Sequence, residues 1–356
     1  MSANPIPYSQ AAELDPRITI PRPVIDPSLA PIVDSFPLPD ELDINFLRGI
    51  AAGGDDGAFA CNADTVLAAK PRLTYTEHSI PGLDGNTIIL SVFAPKKPTS
   101  AAALPALYHI HGGGMVSGDR FGGVVQAVDL LEGIECVVVS VEYRLAPETR
   151  APGAARDCYA GLVWMSENAT ILGVDPAEIV VWGVSGGGAL AAATCLMARD
   201  SRLPTIAIKA QMLLSPMLDD RCASTSDRQF EHGIPWCGVT NRMAWDHVLG
   251  AAARGTDAVT PYQAPSRATD LSDLPPTYID TAECEVFRDP AVAYATNMWR
   301  CGSTCELHVW PGAFHLFDGV DNPDVPLIHA AIVAKCTWLR RIMAPKAKVA
   351  PLGSVS

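Results

Sequence analysis

The sequence predicts an α/β fold in which a mostly parallel sheet of eight strands is flanked by helices. Short apolar runs of the length typical of buried strands recur along the chain, and beyond about residue 106 they alternate with segments of helical periodicity. Hydrophobic residues make up 48% of the 356 residues, which is enough for a sizeable core. The length fits two average domains or one large α/β domain with an insertion.

Composition and charge indicate which kinds of partner this protein is not expected to bind. The formal net charge is −13, and such an acidic surface repels nucleic acid and anionic membranes, so neither is expected as a partner. No stretch approaches the roughly 18 apolar residues of a membrane span, and the N-terminus lacks the pattern of a secretion signal. We therefore expect a cytoplasmic protein whose ten cysteines are mostly buried free thiols rather than disulfides.

Residues 1–71 are expected to lie outside the sheet, as an N-terminal arm followed by helices. Nine prolines fall within the first forty residues, which indicates an extended arm rather than a regular domain. Between residues 40 and 70 apolar side chains recur at helical spacing until Gly53-Gly54 stops the pattern.

Residues 72–218 and 262–356 are predicted to form the core. The first two strands flank the turn-rich stretch 81–85, so they are expected to be antiparallel, and most later strands are separated by helices. The eight predicted strands lie at 73–80, 87–94, 106–110, 136–141, 179–182, 210–214, 277–281 and 306–309. The predicted core helices lie at 151–167, 187–199, 290–301 and 327–342.

Residues 219–261 interrupt this alternation. They contain no clear strand and many polar residues, with aromatic and aliphatic side chains scattered among them. A connection of this length without structure of its own is unusual in a compact domain. We expect a helical insertion that joins the N-terminal helices in a cap, or lid, over the sheet; a long ordinary connection is the alternative.

The stretch Gly183-Val184-Ser185-Gly186-Gly187 carries the strongest chemical signal. An apolar strand precedes it and a helix of small residues follows, which is typical of the nucleophile elbow of the α/β-hydrolase fold. Residues 186–191 also fit a dinucleotide fingerprint, but that site needs an acidic residue about 20 positions later. Residues 205–212 contain none, so no cofactor is predicted.

His111-Gly112-Gly113-Gly114 follows the predicted strand that ends at Ile110. Three successive glycines let backbone N–H groups approach a substrate oxygen, so this stretch can build half of an oxyanion hole. A plain flexible turn is the ordinary alternative. His109 and His111 also suggest a metal pair, but no third ligand with suitable spacing accompanies them, so no metal site is predicted.

A serine nucleophile needs a base and a group that orients the base. His315 lies in a turn-rich loop after the last predicted strand, whereas the other histidines fit strand faces, helix faces or the insertion. Glu285 follows the strand at 277–281 and is the favoured acid. Asp280, Glu283 and Asp289 compete with it, although Asp289 before a proline fits the start of a helix.

At these motifs the chain resembles the hormone-sensitive-lipase-like family of α/β-hydrolase carboxylesterases, from about residue 72 to 340. The resemblance also rests on the stretch Tyr-Arg-Leu-Ala-Pro-Glu at 143–148. The resemblance implies Ser185 as nucleophile, His315 as base and Glu285 as acid. It further implies a helical cap built from the N-terminal segment and the insertion.

The resemblance also implies oxyanion-hole donors at the N–H groups of Gly112, Gly113 and Gly186. The sequence departs from the family pattern at the elbow, which usually reads Gly-Asp-Ser-Ala-Gly-Gly, because Val184 replaces the aspartate and Gly186 the alanine. The family's acid is more often aspartate than glutamate.

The predicted function is hydrolysis of small-molecule carboxylic esters of short to medium acyl chain, without a cofactor or a metal. An amidase, a deformylase or a lactonase can use the same triad. A second class, a non-catalytic ligand receptor on the same scaffold, resembles the plant gibberellin receptors, which lack the triad histidine. His315 is present here, which favours the enzyme. The sequence leaves a homodimer open.

Overall fold

A computed structural model describes residues 6–35, 42–52, 61–202, 206–319, 322 and 324–343. Its eight strands form one sheet in the order β1-β2-β4-β3-β5-β6-β7-β8. The strands are β1 (Leu73–Pro81), β2 (Thr87–Pro95), β3 (Leu104–Ile110), β4 (Val137–Glu142), β5 (Val174–Val184), β6 (Ile208–Leu214), β7 (Thr277–Cys284) and β8 (Cys305–Phe314). β2 runs opposite to the other seven strands, which are parallel to one another, so the predicted sheet is confirmed.

Helices cover both faces of the sheet. Those of the core are α5 (Val124–Leu130), α6 (Gly153–Glu167), α7 (Ala169–Leu172), α8 (Gly186–Ser201), α11 (Arg288–Arg300) and α12 (Pro326–Met343). The four predicted core helices are confirmed as α6, α8, α11 and α12. The sequence reading missed α5 and α7, which have seven and four residues and are too short for a clear periodic pattern.

The side chains of the central strands alternate between two apolar layers. Tyr108 and Val181 pack on the face that α6 and α8 cover, whereas Leu107 and Val180 pack on the face that α5 and α12 cover. A strand buried on both faces reads as an unbroken apolar run, which is why these strands were recognisable in the sequence. Within the described ranges, no helix is long and apolar enough to cross a bilayer.

The N-terminal segment contains more helix than the prolines suggested. A 3₁₀ turn at Tyr8–Gln10 and helices α1 (Ala11–Leu14) and α2 (Ala30–Asp34) interrupt the arm, so the arm is less extended than the prolines indicated. Proline lies in the first turn of α2, where the absence of an N–H costs nothing.

The helical pattern between residues 40 and 70 forms α3 (Ile44–Ala51) and α4 (Ala63–Ala69). Asp43 caps α3 by accepting a hydrogen bond from the N–H of Phe46 at 2.8 Å. The predicted stop at Gly53-Gly54 lies outside the described residues.

The insertion at 219–261 contains helices α9 (Thr225–Gln229) and α10 (Gly238–Leu249) and no strand. The N-terminal segment packs directly on it. The Arg22 guanidinium donates to the carbonyl oxygens of His232 at 2.7 Å and Gly233 at 3.0 Å. The N–H of Leu42 donates to Thr240 Oγ1 at 3.2 Å. The two segments that the sequence assigned to a cap therefore contact each other.

Candidate active site

Ser185 lies on the turn between β5 and α8, at the carboxyl edge of the sheet. Its φ of 56° and ψ of −120° are strained for a residue with a side chain. The backbone holds this conformation from both sides, because the Ser185 N–H donates to the Leu214 carbonyl at 2.8 Å and the Ser185 carbonyl accepts from the Met217 N–H at 3.0 Å. This geometry is that of a nucleophile elbow.

The glycines around Ser185 are required by close backbone approaches. A Cβ at Gly183 would lie 2.1 Å from the Gly187 carbonyl oxygen, and a Cβ at Gly187 would lie 2.2 Å from that of His111. A Cβ at Gly186 would lie 2.7 Å from the Met115 nitrogen. The alanine usual in the family would therefore require the loop before Met115 to move, so Gly186 and this loop fit each other.

The structure brings the three predicted triad residues together. His315 Nε2 lies 3.0 Å from Ser185 Oγ, and His315 Nδ1 lies 2.5 Å from Glu285 Oε2. A neutral imidazole with its proton on Nδ1 therefore donates to the carboxylate and accepts from the serine. Glu285 is fully buried, and its other oxygen accepts from Thr281 Oγ1 and from the Ala282 N–H, both at 2.6 Å. These donors compensate the buried charge and fix the carboxylate.

The three competing acids all lie elsewhere. Asp280 Oδ2 is 3.1 Å from Lys335 Nζ, and Glu283 Oε2 accepts from the Gly312 N–H at 2.8 Å. Asp289 lies in the first turn of α11 and accepts from the Ser226 N–H, at the start of α9, at 2.8 Å. Asp289 was expected to cap the helix that follows it. This prediction is wrong, because Asp289 lies inside α11 and its carboxylate accepts a hydrogen bond from the insertion instead.

The His-Gly-Gly-Gly loop lies against the elbow. Gly113 and Gly114 have φ values of 103° and 62°, which favour glycine. A Cβ at Gly112 would lie 3.6 Å from Ser185 Cβ. No hydrogen bond in the described part of the chain uses the N–H of Gly112 or Gly113. The N–H of Gly186, in the first turn of α8, has no acceptor within its helix.

His111 packs under the glycine loop, whereas His109 lies inside the sheet. The His111 ring stacks on Tyr143 with centroids 4.1 Å apart, and the Tyr143 hydroxyl donates to the His111 carbonyl at 2.9 Å. Burial lowers the pKa of His111 and lowers that of His109 to about 3, so both rings are neutral near pH 7. His109 bonds Ser140 Oγ inside the sheet. Among the described residues, no group of three or more His, Cys, Asp or Glu is placed to bind a metal ion.

Trp236, in the loop between α9 and α10, packs against the base and the glycine loop of the site. Its ring centroid lies 6.4 Å from that of His315, and a Cβ at Gly114 would lie 2.5 Å from its Cη2 atom. Phe287 packs against both rings, with its centroid 5.1 Å from that of His315 and 6.4 Å from that of Trp236. The sequence identified Trp236 as an apolar residue of the insertion, but no local signal indicated that it contacts the oxyanion loop.

Thr281 and Tyr143 are further residues of the site that sequence reasoning did not single out. Thr281 lies four positions before Glu285 at the end of a buried strand, and a hydroxyl at that place was the available signal. Tyr143 lies in a stretch that carried the family resemblance without an assigned role.

Known proteins with related sequences and structures share this architecture. Residues 107–319 match a protein family whose description is alpha/beta hydrolase fold. Carboxylesterase NlhH of Mycobacterium tuberculosis is 33% identical over 302 residues, which cover 83% of this chain and 90% of that protein. An arylesterase of Saccharolobus solfataricus is 33% identical over 238 residues, which cover 67% and 75%.

Among solved structures, a bacterial heroin esterase matches with a TM-score of 0.79 and 34% identity, over 90% of this chain and 98% of that one. Fold and site thus define an α/β hydrolase. The chain belongs to the hormone-sensitive-lipase-like family within that class, as the motifs predicted.

Proposed function

We propose that this protein is a serine carboxylesterase that hydrolyses small-molecule esters through an acyl-enzyme intermediate. The hydrogen-bonded path from Ser185 through His315 to Glu285, with distances of 3.0 Å and 2.5 Å, carries this proposal. Ser185 Oγ attacks the acyl carbonyl while His315 Nε2 accepts its proton, and Glu285 stabilises the imidazolium that forms. His315 returns the proton to the departing alcohol, and a water molecule then repeats the attack on the acyl-enzyme.

The negative charge that develops on the substrate oxygen needs hydrogen-bond donors aimed at it. We assign this role to the N–H groups of Gly112, Gly113 and Gly186. The support is that the amides of the first two are unused within the described chain. The fit between Gly186 and the loop keeps the three amides close to Ser185.

The cap is proposed to consist of residues 1–71 together with the insertion at 219–261. Contacts between Arg22 and the insertion backbone support this division. Ser185 is 4% exposed, and Trp236 closes the site above His315. A site so enclosed excludes water and favours a compact substrate, so short to medium acyl chains are the proposed substrates.

Esters are preferred to amides and lactones as the substrate class because the related proteins named above are esterases. The triad itself does not make this choice, since the same groups open each kind of carbonyl. The ligand-receptor alternative loses support because His315 lies within hydrogen-bond distance of Ser185.

The experiment is a panel of p-nitrophenyl esters from acetate to dodecanoate, measured beside an anilide and a lactone. We expect the highest kcat/KM among the shorter esters. Ser185→Ala should lose nearly all turnover, because a site without its nucleophile retains only about 10³–10⁴-fold rate enhancement over water. A phosphonate probe should label the native protein at Ser185.

Two outcomes would contradict the proposal. Retention of more than about a few per cent of activity in Ser185→Ala would exclude this serine as nucleophile. Turnover of the anilide or the lactone faster than every ester would move the protein to another class of hydrolase. Ser201→Ala is a matched control, because Ser201 lies at the far end of α8, where its hydroxyl donates to the Ala198 carbonyl, and its loss should leave activity unchanged.

A further inference from the structure

Lys335 on α12 is a buried cation outside the triad. It is 4% exposed, and lysine is almost never buried to this degree unless it is paired. Its ammonium group contacts Asp280 Oδ2 at 3.1 Å and also bonds Asp318 Oδ2. Burial opposes the charge, but the two carboxylates raise the pKa of Lys335 above its ordinary value. Lys335, Asp280 and Asp318 are named the Lys335 cluster below.

The cluster joins the two segments that carry the acid and the base. Asp280 on β7 directly precedes Thr281, whose hydroxyl donates to Glu285 Oε1 at 2.6 Å. Asp318 lies in the 3₁₀ turn Phe317–Gly319, three residues after His315. Lys335 therefore connects the strand that holds the carboxylate with the loop that holds the imidazole.

The loop of His315 needs such a connection because the sheet no longer holds it. The pairing of β8 with β7 ends at Phe314, one residue before the imidazole. Leu316 then adopts a φ of 59° with an exposed side chain. The Asp318 carboxylate, by contrast, turns inward to Lys335, with 11% of the side chain exposed. The ion pair of this carboxylate with Lys335 connects the loop to α12.

We propose that Lys335, acting through Asp318, is a positioning residue that holds His315 in line with Glu285 and Ser185. This inference rests on the proposed function, since it assigns the cluster to the same triad. Apolar packing at such a place often stabilises a fold as well as a buried ion pair does. What an ion cluster adds is a directional contact between defined atoms, and the triad distances depend on that direction.

The decisive variant is Asp318→Leu. It removes the contact on the loop side, while Asp280 still pairs one to one with Lys335, so the buried cation keeps a carboxylate partner. We expect kcat per folded molecule to fall at least about tenfold, because small misplacements of reacting groups are costly. KM should stay within about twofold, since ground-state binding does not require the aligned imidazole. Circular dichroism and the unfolding transition of each variant give the folded fraction to which kcat is referred.

Asp318→Asn and Lys209→Met complete the design. Asparagine keeps an oxygen that accepts from Lys335, so Asp318→Asn should recover most of the kcat that Asp318→Leu loses. Lys209 forms an ion pair with Glu178 near the start of β6, at the opposite end of the sheet. Lys209→Met should therefore leave both kcat and KM unchanged.

A purely structural role for the cluster predicts a different result. Asp318→Leu would then lower the melting temperature but keep kcat per folded molecule within about twofold of the native value, and this outcome would overturn the inference. Failure of the proposed function is distinguishable, because it would appear as ester turnover that survives Ser185→Ala. Equal losses of kcat in Asp318→Asn and Asp318→Leu would also overturn the inference, because the retained acceptor would then serve no purpose.

Discussion

Two regions of the molecule meet at Ser185, and they are held in different ways. On the core side, Ser185, Glu285 and His315 each directly follow the last residue of a strand, so the sheet brings them to the same edge. On the side of the proposed cap, Trp236 lies in a loop between two short helices. We therefore expect core geometry to determine the chemistry and the proposed cap to determine which substrates fit.

Contacts between residues that are far apart in the sequence hold the proposed cap in place. Arg22 donates to carbonyl oxygens of residues 229, 232 and 233, more than 200 positions further along. The same guanidinium lies 5.1 Å from the centroid of the Phe230 ring. Arg22 of the arm therefore anchors the loop that leads to Trp236.

The largest expected effect is in the core. Glu285→Gln should lower kcat by about 10⁴-fold, because an amide neither selects the productive tautomer nor stabilises the imidazolium. Steady-state kinetics with a short p-nitrophenyl ester measures this effect. Glu283→Gln is the matched control, since Glu283 bonds the Gly312 N–H and not His315. Similar losses in the two variants would show that the acid is wrongly assigned.

Trp236→Ala tests the cap side and should change selectivity more than chemistry. The ratio of kcat/KM for an octanoate to that for an acetate should rise about tenfold, which corresponds to the room that a removed ring leaves for added methylene groups. Trp299→Ala is the control because Trp299 lies exposed on α11. An unchanged ratio together with a large loss of kcat for acetate would place Trp236 with the core instead.

Asp289→Asn tests the boundary between the two regions and should have the smallest effect. Its carboxylate joins α11 of the core to the first turn of α9 through the Ser226 N–H. We expect the free energy of unfolding to fall by about 1 kcal/mol, with kcat and chain-length preference unchanged. Denaturant unfolding measures the loss, and Asp175→Asn, at the far end of β5, is the control. A change in chain-length preference would mean that this contact also sets the position of the cap.

The core was predictable because its signals are local in the sequence. A strand buried on both faces is an unbroken apolar run, and Gly183 is required by a backbone contact with Gly187 inside the same turn. Helix α5 was missed because its seven residues begin after Gly123 in the left-handed region, which no apolar pattern indicates. The amount of extended chain in the arm was overestimated, because prolines also occur in the first turns of short helices.

The other contacts of the site have no signal of this kind. Trp236 could be listed among apolar residues of the insertion, but its contact with His315 depends on how two distant segments pack. The sequence gives a weak indication that Lys335 is buried, because it falls at helical spacing in the apolar stripe of Ile328, Ala331 and Leu339. A charged residue on a buried face requires buried partners, but the sequence does not say that these are Asp280 and Asp318.

The arm also reaches the base of the triad. The Asp26 N–H donates to the Gly312 carbonyl at 2.9 Å, three residues before His315, while Arg22 donates to the backbone of the insertion. Because the arm makes both contacts and carries no triad residue, we expect changes in the arm to alter the shape of the site without replacing any residue that reacts. Substrate range would then drift during evolution through this segment while the triad stays intact, and we expect libraries that randomise residues 18–28 to yield altered ester specificities with the chemistry preserved.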